Sequence, residues 1–358
     1  MKKTRKTLLL IGLIGATFTS LTGCKPAEKA RVTYGTLVGT TATELKYGDF
    51  ATRVNRGENM LISVYDDSGV PCGCWTTFHT VIDQYVDKYD TVVYYIGRSQ
   101  FSEDSEKYGL TILGVGTDPT FAFIKDGKKT NEYIYGKDTK PMFTDVETLR
   151  SAVNKIARDP QYMLVDQTYL DNKLFKENSG KVIIHYIWNF CPDCNDCFPR
   201  VMIPYSEKND FKTKVWIIDL AIAGILLDEN GQWQGTSLPS YVSFLKEHQM
   251  SAAGNETFGY DRGFVPTTQV WENGVLKDMN VYFNDSVSYE NGKYTVSQSY
   301  YTTERVNNLA YTNTVLQDLE ITADDVEGNE TDGFSWKKES AAVYHQPILE
   351  AFLDKYTK

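Results

Sequence analysis

The sequence predicts an α/β protein of two tandem domains, each a mixed sheet flanked by helices, and three observations predict it. One order of elements (strand, cysteine site, helix, strand, hairpin, helix) occurs twice in the 358 residues. In both copies a short, continuous apolar run leads into the cysteines, and in the first copy apolar residues then recur at helical spacing. A chain with 41% apolar and 13% aromatic residues can fill real cores, and at about 150 residues per domain its length fits roughly two of them.

In the first copy Met60 to Tyr65 reads as a buried strand, Cys72-Gly73-Cys74 follows, and Phe78, Val81, Ile82, Tyr85 and Val86 recur at helical spacing. Thr91 to Ile96 reads as the next strand. Thr120 to Lys125 and Glu132 to Tyr135 form a hairpin about Asp126-Gly127. Thr144 with Glu147 reads as a capping box for a helix carrying Val146, Leu149, Val153 and Ile156. The second copy opens with a strand at Lys181 to Ile187. A cysteine cluster, a strand from Lys214 to Leu220 and a helix from Leu238 to His248 follow. A hairpin about Asn273-Gly274 comes next, and Ile348 to Leu353 lies on a closing helix. Two stretches, 221–262 and 285–346, exceed the shared plan. The second holds another hairpin signal at Asn291-Gly292 and an acidic stretch, Asp324 to Asp332, which lacks calcium-loop spacing and reads as a solvated loop. Pro160 ends the preceding helix, so the boundary falls there, giving domains 44–160 and 161–358.

The start of the chain reads as an export signal. Lys2, Lys3, Arg5 and Lys6 precede an apolar run from Leu8 to Leu21, too short to span a bilayer. Leu21-Thr22-Gly23-Cys24 resembles a bacterial lipobox, in which residues 1–23 are removed and the cysteine is lipidated. That resemblance implies a palmitate-bearing lipoprotein held to the cell membrane at Cys24, facing outward, with 24–43 as a tether. Losing residues 1–23, with their four positive charges and no acid, takes the net charge from −10 to −14. Such an acidic chain is a poor nucleic-acid binder. The longest other apolar run, Ala221 to Leu227, is far too short to span a bilayer.

Five cysteines remain, in two tight groups, whose small loops contribute little chain entropy and therefore point to chemistry. Cys191-Pro192-Asp193-Cys194 follows a buried strand and opens a helix, where backbone N–H groups stabilise a thiolate and the second cysteine lies one turn in. Trp188 and Phe190 flank it, Pro199 follows, and Val265-Pro266-Thr267 precedes the Asn273-Gly274 turn. These marks resemble the thioredoxin family. The resemblance implies two thioredoxin-like domains, a redox-active disulfide at Cys191 and Cys194, and a cis-proline at Pro266. Val265, Pro266 and Trp188 would then hold the peptide substrate. The first copy carries Asp118-Pro119-Thr120 with the same Gly spacing, which implies Asp118 and Pro119 as its substrate contacts, but Cys72-Gly73-Cys74 replaces C-x-x-C and Pro71 stands where the first family cysteine would be. Cys194 and Pro266 lie 72 residues apart, against 45 for Cys74 and Pro119, so the second copy holds an insertion.

His185 stands where thioredoxins commonly keep a buried carboxylate. It is either a proton carrier for the resolving thiol or a satisfied core residue. Cys197 is either a second resolving thiol or a small apolar core residue. Cys191, Cys194, Cys197 and His185 are zinc- or copper-type ligands, but structural zinc rarely sits at an exposed helix start, so no metal or other cofactor is read. Cys72 and Cys74 are either a redox pair, whose short ring favours the reduced form, or inert surface thiols. The expected function is thiol–disulfide exchange on exported proteins or peptides, with a further redox partner. The rival is a lipoprotein that uses the fold only to bind peptides. The Cys-Pro-Asp-Cys segment is also locally similar to bacteriocin transport accessory proteins, which implies a secretion-linked client.

Overall fold

The computed structural model describes residues 29–33, 36–37, 41–101, 118–176, 180–188, 191–221, 225, 239–250, 252–253, 256–257, 265–282, 285–299, 313–315 and 320–358. The chain runs β1 (Thr36–Leu37), β2 (Thr43–Glu44), α1 (Tyr47–Asn55), β3 (Met60–Tyr65), α2 (Gly73–Tyr89), β4 (Tyr94–Gly97), β5 (Thr120–Lys125), β6 (Lys128–Ile134), α3 (Lys140–Thr144) and α4 (Val146–Ile156). It continues with β7 (Tyr162–Val165), α5 (Gln167–Tyr169), β8 (Lys181–Ile187), α6 (Pro192–Cys197), α7 (Ile203–Lys208), β9 (Val215–Asp219) and α8 (Pro239–Glu247). The short pair β10 (Ala252–Ala253) and β11 (Glu256–Thr257) precedes β12 (Thr267–Glu272) and β13 (Val275–Val281). Last come β14 (Asp285–Glu290), β15 (Lys293–Ser299), β16 (Asn313–Val315), β17 (Val326–Asn329), β18 (Gly333–Trp336) and α9 (Lys338–Thr357).

Two sheets share one topology. The first has the order β2-β4-β3-β5-β6, and the second β7-β9-β8-β12-β13 with β1 added at its edge. In each, the strand preceding the cysteines pairs in parallel with the next strand and antiparallel with the hairpin. This is the thioredoxin-like arrangement, twice. The central strands explain it: β3 and β9 are apolar over almost their whole length and buried on both faces, so helices must cover both sides. The Asp126-Gly127, Asn273-Gly274 and Asn291-Gly292 pairs each place two residues at positive φ, as tight right-twisted hairpins require.

Several expectations are corrected. The described part of 24–43 is not a free tether. β1 pairs in parallel with β7, and Arg31 is buried, donating to the Asp159 carbonyl at 2.9 Å and the Ser206 carbonyl at 3.2 Å. The open edge of β7 offers unpaired backbone groups, and this segment covers them. Thr144 does not cap the helix after it. Asp145 does, its Oδ1 accepting the Thr148 N–H at 2.8 Å, because Thr144 closes α3. The acidic stretch 324–332 is not a loop, since it builds β17 and the turn into β18. These strands join β14–β16 in a five-stranded antiparallel sheet added to the second domain.

The domains pack directly. Lys214 donates to the Tyr89 carbonyl at 2.9 Å, and Arg158 meets Glu207 at 3.3 Å. One apolar cluster runs through both. Among the described residues no helix is long and apolar enough to cross a membrane.

Candidate active site

β8 ends at Ile187, and the chain turns into α6 with Cys191 as its N-cap. Pro192 occupies the first helical position, where its missing N–H costs nothing and its fixed φ suits the helix. Cys191 Sγ accepts the Cys194 N–H at 3.5 Å, and its thiol donates to the Val265 carbonyl at 3.5 Å. Val265–Pro266 is the cis peptide. Cys194 Sγ, one turn in, accepts the Trp188 N–H at 3.5 Å. Pro199 lies in a π-helical segment, Phe198–Met202, between α6 and α7, where a residue without an N–H breaks the α-helical ladder.

The two thiols are driven apart. The Cys194 thiol, with the backbone N–H groups of Cys194 and Asp193, lowers the Cys191 pKa to about 7, against burial and the Asp193 carboxylate. Burial first, then Cys191 itself, pushes the Cys194 thiol far above the ordinary range. Both are buried, Cys191 7% and Cys194 4% exposed, and hydrogen bonding lowers the first while burial, ahead of its neighbour, raises the second. Asp193 is held by Lys338, the first residue of α9, at 3.0 Å.

Alkylation of the reduced chain at Cys191 is therefore expected to rise with pH about a midpoint near 7, since the thiolate is the reactive form. In Cys194→Ala, which removes the largest lowering influence, the midpoint should move up towards the ordinary thiol value. A parent midpoint already at 9.0, the unperturbed value, would contradict this account.

His185 is buried, its Nδ1 within 2.8 Å of Thr268 Oγ1, and burial lowers its pKa to about 3. Its ring lies 6.4 Å from Phe198. Cys197 is fully buried in the cluster with Ile183, Phe198 and Val201, and burial raises its thiol well above the ordinary range. Among the described residues no group of three or more His, Cys, Asp or Glu is arranged to hold a metal ion. Phe190 and Cys24 lie outside the described residues.

The first domain differs. Cys72, not Pro71, takes the slot of Cys191: it is the N-cap of α2, and its Sγ accepts the Trp75 N–H at 3.2 Å. The helix register decides this, because the N-cap accepts from the third helical residue in both domains. Trp75 thus occupies the slot of Cys194, buried and stacked on Tyr65 at 4.4 Å and on His79 at 5.2 Å. Cys72 and Cys74 form a half-buried disulfide, with Cα atoms 5.2 Å apart. Asp118–Pro119 is not among the cis peptides, and Arg98 donates to the Asp118 carbonyl at 3.4 Å, the counterpart of the Val265 carbonyl facing Cys191. Asp118 is exposed and Pro119 buried.

Sequence reasoning missed two residues, Lys338 and Arg98, which reach the sites only through tertiary contact.

No family model matches the chain, and no curated protein matches it. Solved structures similar to it include a mutant thioredoxin from Halobacterium salinarum NRC-1, at 18% identity over 35% of this chain and 97% of that one, with a TM-score of 0.26. Reduced Schistosoma mansoni thioredoxin pre-protein is 18% identical over 32% of this chain and 98% of its own, with a TM-score of 0.24. The zinc-bound form of human ERp44 is 18% identical over 50% of this chain and 45% of its own, with a TM-score of 0.24. The fold assignment itself rests on the repeated strand order.

Proposed function

We propose that the chain is a thiol–disulfide oxidoreductase, lipid-anchored at Cys24 on the outer side of the cell membrane, acting on exported proteins or peptides. One observation carries this reading: Cys191 caps α6 with its pKa lowered to about 7, facing the Val265 carbonyl beside cis-Pro266, with Cys194 one turn behind. The Cys191 thiolate attacks a client disulfide, forming a mixed disulfide as the first client sulfur leaves and takes up a proton. Cys194 loses its proton and attacks Cys191 Sγ. The Cys191–Cys194 bond forms and the second client sulfur leaves, so two electrons pass from the pair to the client. Oxidation of a client dithiol runs the same steps in reverse. A peptide strand would lie along the backbone at Val265, with the carbonyl and N–H groups beside the cis-proline as partners. The test is reduction of a disulfide-bonded peptide by the reduced full chain; no turnover and no mixed disulfide would overturn the reading.

For the first domain a docking role is the second reading. It is favoured by Trp75 in the resolving-thiol slot and by Arg98 on the Asp118 carbonyl. The anchor has its own test. Cys24→Ala is expected to release the protein from membranes or to stall its processing, because lipid at Cys24 is the attachment this reading invokes. Normal processing with unchanged membrane retention would remove the anchor from the proposal.

A further inference from the structure

Four rings gather beside the first-domain disulfide. Tyr65 stacks on Trp75 at 4.4 Å, and His79 stacks on Trp75 at 5.2 Å. Tyr95 meets His79 edge-on at 4.8 Å and Trp75 at 5.6 Å. Trp75 is buried, whereas Tyr65, His79 and Tyr95 are half-buried and give part of their surface to solvent. Carboxylates border these rings. Glu44, exposed on β2, is the strand partner of Tyr95 and accepts the Tyr65 hydroxyl at 3.3 Å. Asp83, one turn after His79 on α2, lies 4.0 Å from His79 Nε2. Burial first, then Glu44 and Asp83, raises the Tyr95 phenol above its ordinary pKa, so both acids flank that ring. Asp67 adds a carboxylate near Tyr65. Arg98 is close by, but its guanidinium is turned to the Asp118 carbonyl.

We infer that this surface is a docking site for a basic peptide segment, an arginine or lysine side chain lying on the ring of Tyr95 or Tyr65 and pairing with Glu44 and Asp83. This rests on the docking reading of the first domain and names the partner's chemistry. The face of an aromatic ring is negative and attracts a cation, and the flanking carboxylates complete the match. Other partners fit worse. An acidic segment would meet Glu44, Asp67 and Asp83, and an apolar one would strip water from them without pairing. Arginine suits the site better than lysine, because its planar guanidinium stacks on a ring while its fork reaches a carboxylate. The position gives a bound segment a use, since Trp75 directly follows Cys74 and the Cys72–Cys74 disulfide lies half-buried at the start of the same helix. A partner seated here is carried next to that disulfide, whether or not an exchange of sulfurs follows.

Fluorescence anisotropy of the oxidised full chain with labelled glycine–serine peptides tests this. One peptide carries several arginines, a second the same number of glutamates and a third the same number of leucines; none carries cysteine, so the result does not depend on the redox chemistry of either pair. The arginine peptide is expected to bind at least about 10-fold more tightly than the other two at low salt, and to lose that advantage as salt screens the carboxylates. Glu44→Gln with Asp83→Asn keeps an oxygen for the Tyr65 hydroxyl and the Ala42 N–H, and should weaken the arginine peptide by about 10-fold. Tyr95→Leu should weaken it by about 3- to 10-fold and Tyr95→Phe should not, because the ring and not the hydroxyl holds the cation. Glu290→Gln with Glu327→Gln makes the same change of charge on β14 and β17 of the added sheet, and should leave binding within about twofold. An equal loss in that control would mean attraction to the acidic chain as a whole and would overturn the inference. So would a preference for the glutamate or leucine peptide, which leaves the docking reading standing with a different partner. No binding of any of the three peptides overturns the inference and the docking reading together.

Discussion

Replacing Cys191 by serine in the full chain is expected to reduce client-disulfide turnover by roughly three orders of magnitude or more, the scale on which loss of a nucleophile acts. Cys194→Ser should instead accumulate mixed disulfides with clients. The asymmetry follows from α6. Cys191 alone accepts the N–H groups at the helix start, so at neutral pH a large share of it is thiolate. Cys194 is held protonated by burial and by its neighbour, so it waits until Cys191 is committed to a client and no longer needs its hydrogen bond. With Cys194 gone the first step proceeds and the second cannot, and the intermediate persists. With Cys191 gone, the remaining thiol is buried and protonated, and nothing attacks. Gel separation under non-reducing conditions, followed by mass analysis of the trapped adducts, reads both outcomes. Equal trapping by the two variants would remove the assigned roles.

The features legible in the sequence are those fixed by short-range chemistry. An Asn-Gly or Asp-Gly pair between apolar runs has few alternatives to a tight hairpin, and all three such pairs form one. A cysteine directly after a buried strand and before helical spacing lands at an N-cap, as Cys191 does. The misses share a cause, which is that they depend on partners far away in sequence. Arg31 and β1 read as part of a tether because nothing local shows that β7, more than 120 residues on, has an open edge. Lys338 meets Asp193 from α9, the helix that follows the added antiparallel sheet, far away in sequence. Counting back from Cys74 puts Pro71 in the slot of the first cysteine, whereas the helix is counted from its cap, and the cap is Cys72.

In a glutathione buffer, the Cys72–Cys74 disulfide is expected to have a less negative reduction potential than Cys191–Cys194 by tens of millivolts, where about 30 mV corresponds to a tenfold change in equilibrium. Three features point the same way. A bond between cysteines one residue apart closes a shorter ring than C-x-x-C, and short rings disfavour the oxidised form. Cys72 caps the 17-residue α2, so once reduced its thiolate has the N–H groups of a long helix to stabilise it. The pair is also half-buried where Cys191 and Cys194 are buried, and exposed disulfides are the more readily reduced. The measurement uses the full chain in two forms, one with Cys191, Cys194 and Cys197 changed to serine and one with Cys72 and Cys74 changed, each titrated and then quenched by alkylation. In the expected order, electrons run downhill from the second domain to the first, and on one chain that transfer is driven by the high effective concentration of linked partners. A first-domain pair that is the more reducing of the two, or that does not reduce reversibly, would reverse or abolish the relay. The first domain would then act through the stacked face of Tyr65, Trp75 and His79 beside its disulfide, as a docking module rather than a redox partner.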